Sequence, residues 1–354
     1  MSAQKEQITI LWFKRDLRIE DHPALCHAAQ LGYPILPLYV VEPALWMQSD
    51  YSGRQWEFTK ECLFDLRAQL GALGMPLVVR MGAVRKVLRE LAATFDVKHL
   101  VAHEETGTTW TFQRDLRVQA WCRENTIDFT ELPQSGVVRR LGTRDHWARA
   151  RDRFVDGARL KFPKALKPID IDIGHIPDWA DISSEPDRCP LRQHGGRRAA
   201  LASLDKFWGN GIKTYRWAMS SPVTAPHACS RISPHLALGV MSIREVAQLS
   251  ALRSKSFSTP AKKGYASFQS RLAWRDHFIQ KLEDQPDLDQ VAMHRAYDNL
   301  RPSNGNETLL SAWEKGETGL PFLDTCMQSC NFFGCPCHNH SALIADIPRK
   351  ISIA

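Results

Sequence analysis

The sequence predicts two consecutive domains. The first is an α/β domain with a doubly wound, five-stranded parallel sheet of Rossmann-like type, and the second is all-α. Apolar, β-rich runs alternate with helical patterns over residues 1–135, and strand periodicity disappears after residue 200. Between these parts, five prolines and a Gly-Gly pair interrupt the chain. Alternating strands and helices form parallel sheets with right-handed crossovers, which place helices on both faces.

The individual elements follow from periodicity and from residues that begin or end helices. Strands are predicted at 8–13, 35–41, 77–80, 99–102 and 127–131. Helices of the first domain are predicted at 23–31, 54–73, 83–95 and 109–124, and helices of the second at 197–208, 234–238, 243–252, 260–282 and 307–313. Asp21 is expected to be the N-cap of the first helix, with Pro23 in its first turn.

The turn after the first strand excludes a dinucleotide-binding dehydrogenase. It reads Lys14-Arg15-Asp16-Leu17-Arg18, where a G-x-G-x-x-G fingerprint would need glycines for close approach to a pyrophosphate. A ligand is still expected at the carboxyl ends of the strands.

Composition excludes several other classes. The 354 residues are 44% hydrophobic and 24% charged, which is typical of globular proteins rather than disordered or fibrous chains. No apolar run approaches the roughly 18 residues of a membrane span, and the polar start lacks a signal-peptide core. We therefore expect a cytoplasmic protein, monomeric, whose nine cysteines are reduced thiols.

The net charge of +7 is concentrated in one segment. Residues 136–168 contain ten Lys and Arg against three Asp and Glu. Such a stretch would attract a polyanion, most commonly nucleic acid, but a solvated connector face explains the charge equally well.

Four segments result from these patterns. They are an α/β domain at 1–135, a basic connector at 136–200, a partial helical domain at 201–327 and a divergent tail at 328–354. The tail contains possible soft zinc ligands, but their C-x4-C-x-C-H-x-H spacing is unusual, so we predict no metal site. These residues are Cys330, Cys335, Cys337, His338 and His340.

Two motifs in the helical domain could bind a ligand. Residues 229–236, Cys-Ser-Arg-Ile-Ser-Pro-His-Leu, run into a helix and could hold a phosphate, although Ser-Pro starts also occur as plain caps. Helical spacing places Phe268, Arg271 and Arg275 on one face, with Trp274 at its edge. This face could stack on a flat ring, or it could be core aromatics flanked by solvated arginines.

At these residues the sequence resembles the photolyase and cryptochrome flavoproteins. Residues 12–25 are similar to the family's W-F-R-R-D-L-R-x-x-D-N-P-A-L, and residues 229–234 to T-S-R-L-S-P. Residues 136–141 resemble the family's interdomain stretch, 272–278 its L-x-W-R-E-F helix, and 312–324 its A-W-x-x-G-x-T-G-x-P-x-x-D motif.

The resemblance implies a helical domain that binds FAD and an antenna chromophore, of folate type, in the first domain. Members that repair DNA use the excited reduced flavin to split cyclobutane pyrimidine dimers, so UV-damaged DNA is the implied partner. The implied FAD-binding residues are Tyr215, Cys229, Ser230, Arg231, Ile232, Ser233, Phe268, Arg271 and Arg275. The implied DNA or lesion contacts are Trp274, Arg275, Arg139 and Arg140, and no catalytic residue is assigned.

Departures from the family pattern limit this expectation. Cys229 replaces a Thr, and Arg271 stands where many members have Glu. After Met327 the expected flavin-domain motifs are not recognisable, so we expect an incomplete, C-terminally truncated FAD domain. The leading hypothesis is an FAD-dependent photolyase, active or inactive in this truncated form; the alternatives are a cryptochrome-like photoreceptor without repair activity and a non-functional relic.

Overall fold

A computed structural model describes residues 5–184, 187, 189–221, 223–297 and 306–333. Its five-stranded sheet has the order β3-β2-β1-β4-β5, and all neighbouring pairs are parallel. The strands are β1 (Gln7–Phe13), β2 (Ile35–Val41), β3 (Val78–Met81), β4 (Asp96–His103) and β5 (Asp128–Leu132). The predicted fold class and the position of every predicted strand are confirmed within a few residues.

Five helices surround the sheet. They are α1 (Pro23–Gln30), α2 (Pro43–Trp46), α3 (Gly53–Ala72), α4 (Val84–Thr94) and α5 (Thr109–Glu124). All seven residues of β2 are buried, as expected for a strand covered on both faces. The short helix α2 was not predicted, because four residues carry too little periodicity to identify a helix.

Asp21 is not the N-cap of α1, so that expectation was wrong. His22 is the N-cap, and its Nδ1 accepts a hydrogen bond from the Leu25 amide. The Asp21 carboxylate is directed instead at the helical region, where Ser242 Oγ and Arg244 donate to it. Long-range hydrogen bonds therefore engage the carboxylate that the local sequence predicts to cap α1.

The connector contains two helices that the sequence did not predict. They are α6 (Trp147–Asp156) and α7 (Trp179–Ile182). Trp147, Arg151 and Val155 recur every four residues along α6 and are all buried. The buried arginine in that row interrupts the apolar pattern, which explains why the sequence did not predict this helix.

The remaining described elements are all helical, as predicted for this region, although the helices at 212–218, 225–228 and 321–333 were not predicted individually. Its helices are α8 (Arg197–Lys206), α9 (Ile212–Ala218), α10 (Ala225–Ala228), α11 (Ser233–Ala237), α12 (Ile243–Ser254), α13 (Thr259–Asp284), α14 (Glu307–Lys315) and α15 (Pro321–Phe333). A π-helical turn, Phe207–Gly211, joins α8 to α9, and a 3-10 turn covers Arg295–Tyr297. Over the ranges described, no helix combines the length and the apolar character needed to cross a bilayer.

Residues 14–22, here called the interdomain loop, attach the helical region to the sheet. The Leu17 amide donates to Leu238 O at 2.9 Å, and Arg18 donates to Gly239 O at 2.9 Å. Gly239 has φ +60°, and a Cβ there would lie 2.4 Å from Arg15 O. Only glycine allows the two backbones to approach this closely.

Candidate functional site

A large cleft lies where the strand ends of the sheet face the helical region. Its volume is about 2990 Å³. Trp12 and Tyr39 line it from β1 and β2, and Ser233 and Arg275 line it from α11 and α13. The sequence predicted a ligand site at this edge of the sheet, and the cleft exceeds the roughly 300–1,000 Å³ of a small-molecule pocket.

A buried ionic network forms the floor of the cleft. Lys14 Nζ lies 2.7 Å from Asp115 and 3.4 Å from Glu131. Arg114 pairs with Glu105 at 2.6 Å and with Asp115 at 2.8 Å. Burial alone would lower the pKa of Lys14, but the three surrounding carboxylates raise it. Both cations therefore stay charged and are neutralised by the protein itself.

Trp12 lies against both cations of this network. Lys14 Nζ is 4.8 Å from the centre of a Trp12 ring, and the Arg114 guanidinium carbon is 4.9 Å from it. Cation–π contacts of this kind hold an indole in one orientation. Trp12 is thus a fixed aromatic wall rather than a mobile side chain.

Asp16, His22 and His103 form a fully buried cluster beneath the cleft. His103 Nδ1 is 2.7 Å and His22 Nε2 is 3.1 Å from Asp16 Oδ2. The other ring nitrogens accept hydrogen bonds from the Ala24 and Leu25 amides. Each imidazole therefore carries its proton on the side of Asp16, which leaves no ring lone pair for a metal ion.

This cluster has shifted pKa values that fit a structural role. Burial would raise the pKa of Asp16, but hydrogen bonds from His103 and His22 hold it well below its usual value. Burial lowers the pKa of His103 to about 3 and also lowers that of His22. A carboxylate between two neutral histidines thus fixes the conformation of the interdomain loop.

The predicted phosphate-binding segment joins α10 to α11. Ser230 is buried, Arg231 has φ +53°, and the Arg231 carbonyl accepts from Gln193 Nε2 at 2.7 Å. Ser233 begins α11 and lines the cleft. Cys229, Ser230, Arg231 and Ile232 do not line it. Of residues 229–236, the structure therefore brings Ser233, Pro234 and Leu236 to the cleft, and Ser233 is the one predicted FAD contact among them.

Tyr215 and Phe268, two further predicted FAD contacts, lie in the helical core. Both are buried, at 3% and 2% exposed, and pack against Phe207 at centroid distances of 5.3 and 4.9 Å. Neither lines the cleft. In this conformation they support the helices around the cleft and do not face it.

The α13 residues predicted to contact flavin or DNA separate onto two faces. Arg275 lines the cleft, donates to Leu236 O at 3.0 Å and pairs with Asp276 at 3.2 Å. Trp274 is 53% exposed, and the Arg271 guanidinium carbon lies 5.6 Å from its ring centre. An exposed indole next to a guanidinium is available for stacking on a base.

Arg139 and Arg140 occupy different environments. Arg139 pairs with Glu131 at 2.8 Å and lies 3.7 Å from Glu283, so it bridges β5 and α13. Arg140 is exposed, with φ +54°. Arg151, likewise from the connector, pairs with Asp276 at 3.0 Å in the buried interface. Part of the basic connector therefore neutralises acidic residues of the helical region, which neither explanation of its charge anticipated.

Sequence reasoning missed the residues that hold the two regions together. Gln280 receives a hydrogen bond from the Val138 amide at 2.7 Å and donates to the Val138 carbonyl at 2.9 Å. Asp289 accepts from the amide and the hydroxyl of Thr109 and thereby caps α5 from the other region. These pairs lie far apart in sequence, and a single chain carries no local signal for them. Of the tail's possible zinc ligands, only Cys330 is described; Cys335, Cys337, His338 and His340 lie outside the described residues.

Two family models match the chain. The DNA photolyase model covers residues 9–145, and the model of the FAD binding domain of DNA photolyase covers residues 268–342. The first match includes the interdomain loop and the ionic network, and the second begins at Phe268 and includes Trp274 and Arg275.

Known photolyases and cryptochromes are similar to this sequence over most of its length. A cryptochrome DASH of Solanum lycopersicum is 24% identical over 91% of the chain, which spans 62% of that relative's length. A deoxyribodipyrimidine photo-lyase of Vibrio cholerae is 26% identical over 92% of the chain and 72% of the relative. In fold, the chain is similar to a class III photolyase of Agrobacterium tumefaciens, with TM-score 0.76, 24% identity, and coverage of 97% of this chain and 72% of the other.

Proposed function

The chain belongs to the photolyase and cryptochrome family, and from this premise we propose that it is a flavoprotein that binds FAD and uses light to split cyclobutane pyrimidine dimers in DNA. The observation that carries the proposal is the convergence of Ser233 and Arg275 on one cleft. The next residue along α13 from Arg275, Trp274, is 53% exposed on a different face of the helix and would be available to a base there.

The donor set suits FAD. Ser230, Arg231 and Ser233 follow one another closely and offer two hydroxyls and a guanidinium, which can bind a pyrophosphate. Arg275 adds a second guanidinium, already oriented by Leu236 O and Asp276. Tyr215, Cys229, Ile232, Phe268 and Arg271 stay proposed contacts on the resemblance. Most of this set would reach a ligand only if the segment before α11 shifts towards the cleft.

Bound FAD would supply the electron that, in repairing members of the family, passes to the dimer under blue light. The chain's own residues would do the binding and positioning. Arg275 would hold a negative group at the cleft, and the neutralised Lys14 and Arg114 network would leave the floor polar but not strongly cationic. Trp12 and Tyr39 would provide a rigid aromatic wall, where we place the proposed folate-type antenna chromophore.

DNA would bind on the exposed basic surface near this cleft. Basic residues of the connector that are exposed in the structure include Arg140, Arg149, Arg153, Arg159, Lys161, Lys164, Lys167 and Arg198. Such side chains contact phosphates without reading sequence, and Trp274 would stack on a base turned out of the helix. Arg139, with its carboxylate partners, would position the connector rather than contact DNA. A monomeric, cytoplasmic protein stays our prediction.

A second candidate is a cryptochrome-like photoreceptor. Relatives of the chain are named cryptochrome DASH as well as photo-lyase. Arg271 replaces the Glu that many members carry, and here its guanidinium lies over Trp274. A cation in that position alters the surface on which a lesion would rest.

A light-driven repair assay separates the candidates. The purified chain, supplied with FAD and a photoreductant, would be illuminated with blue light on an oligonucleotide that contains one thymine dimer. We expect restored thymines in the light and none in the dark, with Arg275→Gln reducing FAD retention. FAD bound without repair would favour the photoreceptor, and failure to bind FAD would overturn both.

A further inference from the structure

A second, smaller cavity lies on the outer side of the α/β domain, between α4 and α5. This outer groove has a volume of about 480 Å³. Its polar and aromatic lining consists of Glu42, Arg85, Lys86, Arg89, Trp110, Arg114 and Arg117. Trp110, Arg114 and Arg117 also line the large cleft and form the wall between the two cavities. Nothing in the proposed flavin chemistry uses this groove.

The arginines of the outer groove differ from those of the cleft floor. Arg114 is neutralised by Glu105 and Asp115. Among the residues that the structure describes, Arg85 and Arg117 have no carboxylate partner. Arg85 Nε is also buried without a hydrogen-bond acceptor in this part of the chain. A buried N–H donor without an acceptor is destabilising, and an anion in the groove would supply the missing acceptor.

The remaining polar groups of the groove each form a hydrogen bond or an ion pair within the protein. Glu42 accepts from the Val84 amide at 3.0 Å and lies 3.4 Å from Arg114. The amide at the start of α4 is therefore engaged, so an anion would be held by side chains. Lys86 lies 3.9 Å from Glu90 on an exposed surface. Arg89 donates its Nε to Arg85 O at 3.3 Å, which leaves the terminal nitrogens of its guanidinium.

From this geometry we propose that the outer groove binds a mononucleotide, with Arg85, Arg89 and Arg117 on its phosphates and Trp110 beside its base. Guanidinium forks match phosphate oxygens in pairs. A half-buried indole provides a flat surface on which a base can stack. The cavity falls within the roughly 300–1,000 Å³ of small-ligand pockets and has no room for a duplex.

Equilibrium dialysis or calorimetry of the full chain with ADP tests this site. We expect saturable binding that weakens at least tenfold in Arg85→Gln/Arg117→Gln. The matched control is Arg123→Gln, which removes the same charge from an exposed position in the last turn of α5. If the double variant fails to fold, Arg89→Gln alone carries the test, since Arg89 is exposed and lines the outer groove but not the large cleft.

Inorganic phosphate and the variant Trp110→Leu test whether the site recognises the base as well as the phosphates. Inorganic phosphate should bind at least tenfold more weakly than ADP, and Trp110→Leu should remove most of that difference. Equal affinity for phosphate and ADP would overturn the nucleotide assignment. ADP binding that the arginine substitutions leave unchanged would place the nucleotide elsewhere and overturn the site. Neither result depends on whether the chain binds FAD or repairs DNA.

Discussion

The α/β domain and the last two described helices differ in how they bury apolar side chains. Every residue of β2 is buried, whereas α14 has no buried residue. Around α14 and α15, Leu309, Leu320 and Phe322 are 48%, 62% and 58% exposed. The sheet therefore has a core of its own, whereas α14 and α15 leave large apolar side chains exposed. The helices before them pack on one another, and the interdomain loop attaches them to the sheet.

Disrupting the contact between Gly239 and the interdomain loop should cause the largest loss of stability. Gly239→Ala introduces a Cβ 2.4 Å from Arg15 O at a residue with φ +60°. We expect a loss of about 4 kcal/mol in the free energy of unfolding, from strain and displaced backbone. Gly142→Ala is the control, because no atom lies within 4 Å of its added Cβ. Equal stability of the two variants in urea unfolding would show that the loop contact contributes little.

Two buried histidines, one in each region, differ in their hydrogen bonding. His103 bonds to Asp16 and Ala24 in the α/β domain, whereas both ring nitrogens of His235 on α11 lack partners among the described residues. His103→Leu should cost about 3 kcal/mol, because it removes one hydrogen-bond donor from the buried Asp16 carboxylate and leaves the Ala24 amide without an acceptor. His235→Leu should leave stability unchanged or raise it by up to about 1 kcal/mol, since it removes a burial penalty. The reverse order in thermal melts would contradict this account of the cluster.

Acid should destabilise the protein through the same groups. The folded pKa of His103 is about 3 and that of His235 about 4, whereas unfolded histidine titrates near 6.5. The unfolded state therefore binds more protons below about pH 6.5, so stability falls as pH falls. His103 alone should account for about 2 kcal/mol of the loss between about pH 6.5 and 4.5. The loss should be smaller by that amount in His103→Leu; a parallel pH profile would contradict the assignment.

The smallest predicted effect concerns the exposed face of α13. Trp274→Ala should weaken binding to dimer-containing DNA about tenfold, which corresponds to about 1.4 kcal/mol, and should barely affect undamaged DNA. Phe278→Ala, at a side chain 50% exposed one turn away, is the matched control. Filter binding on both DNAs measures the ratio. Equal loss on damaged and undamaged DNA would remove the proposed stacking role of Trp274.

The sequence predicted the sheet well because its strands are short, apolar and separated by clear helices. It also predicted the helix α13, but not that Phe268 would be buried in the helical core and Trp274 53% exposed. It failed for Asp21, whose carboxylate binds Ser242 and Arg244 rather than capping α1. Long-range ion pairs decide such cases, and a local pattern does not contain them. The outer groove was missed for the same reason, since its arginines come from two helices.

The central claim is that the described helices and the segment before α11 bind FAD. The direct measurement is the visible spectrum of the purified chain after incubation with FAD and removal of free flavin. The account predicts a flavin spectrum at a stoichiometry near one per chain, and a clear reduction in Arg275→Gln relative to the control Lys262→Gln. A folded chain that retains no flavin would contradict the claim.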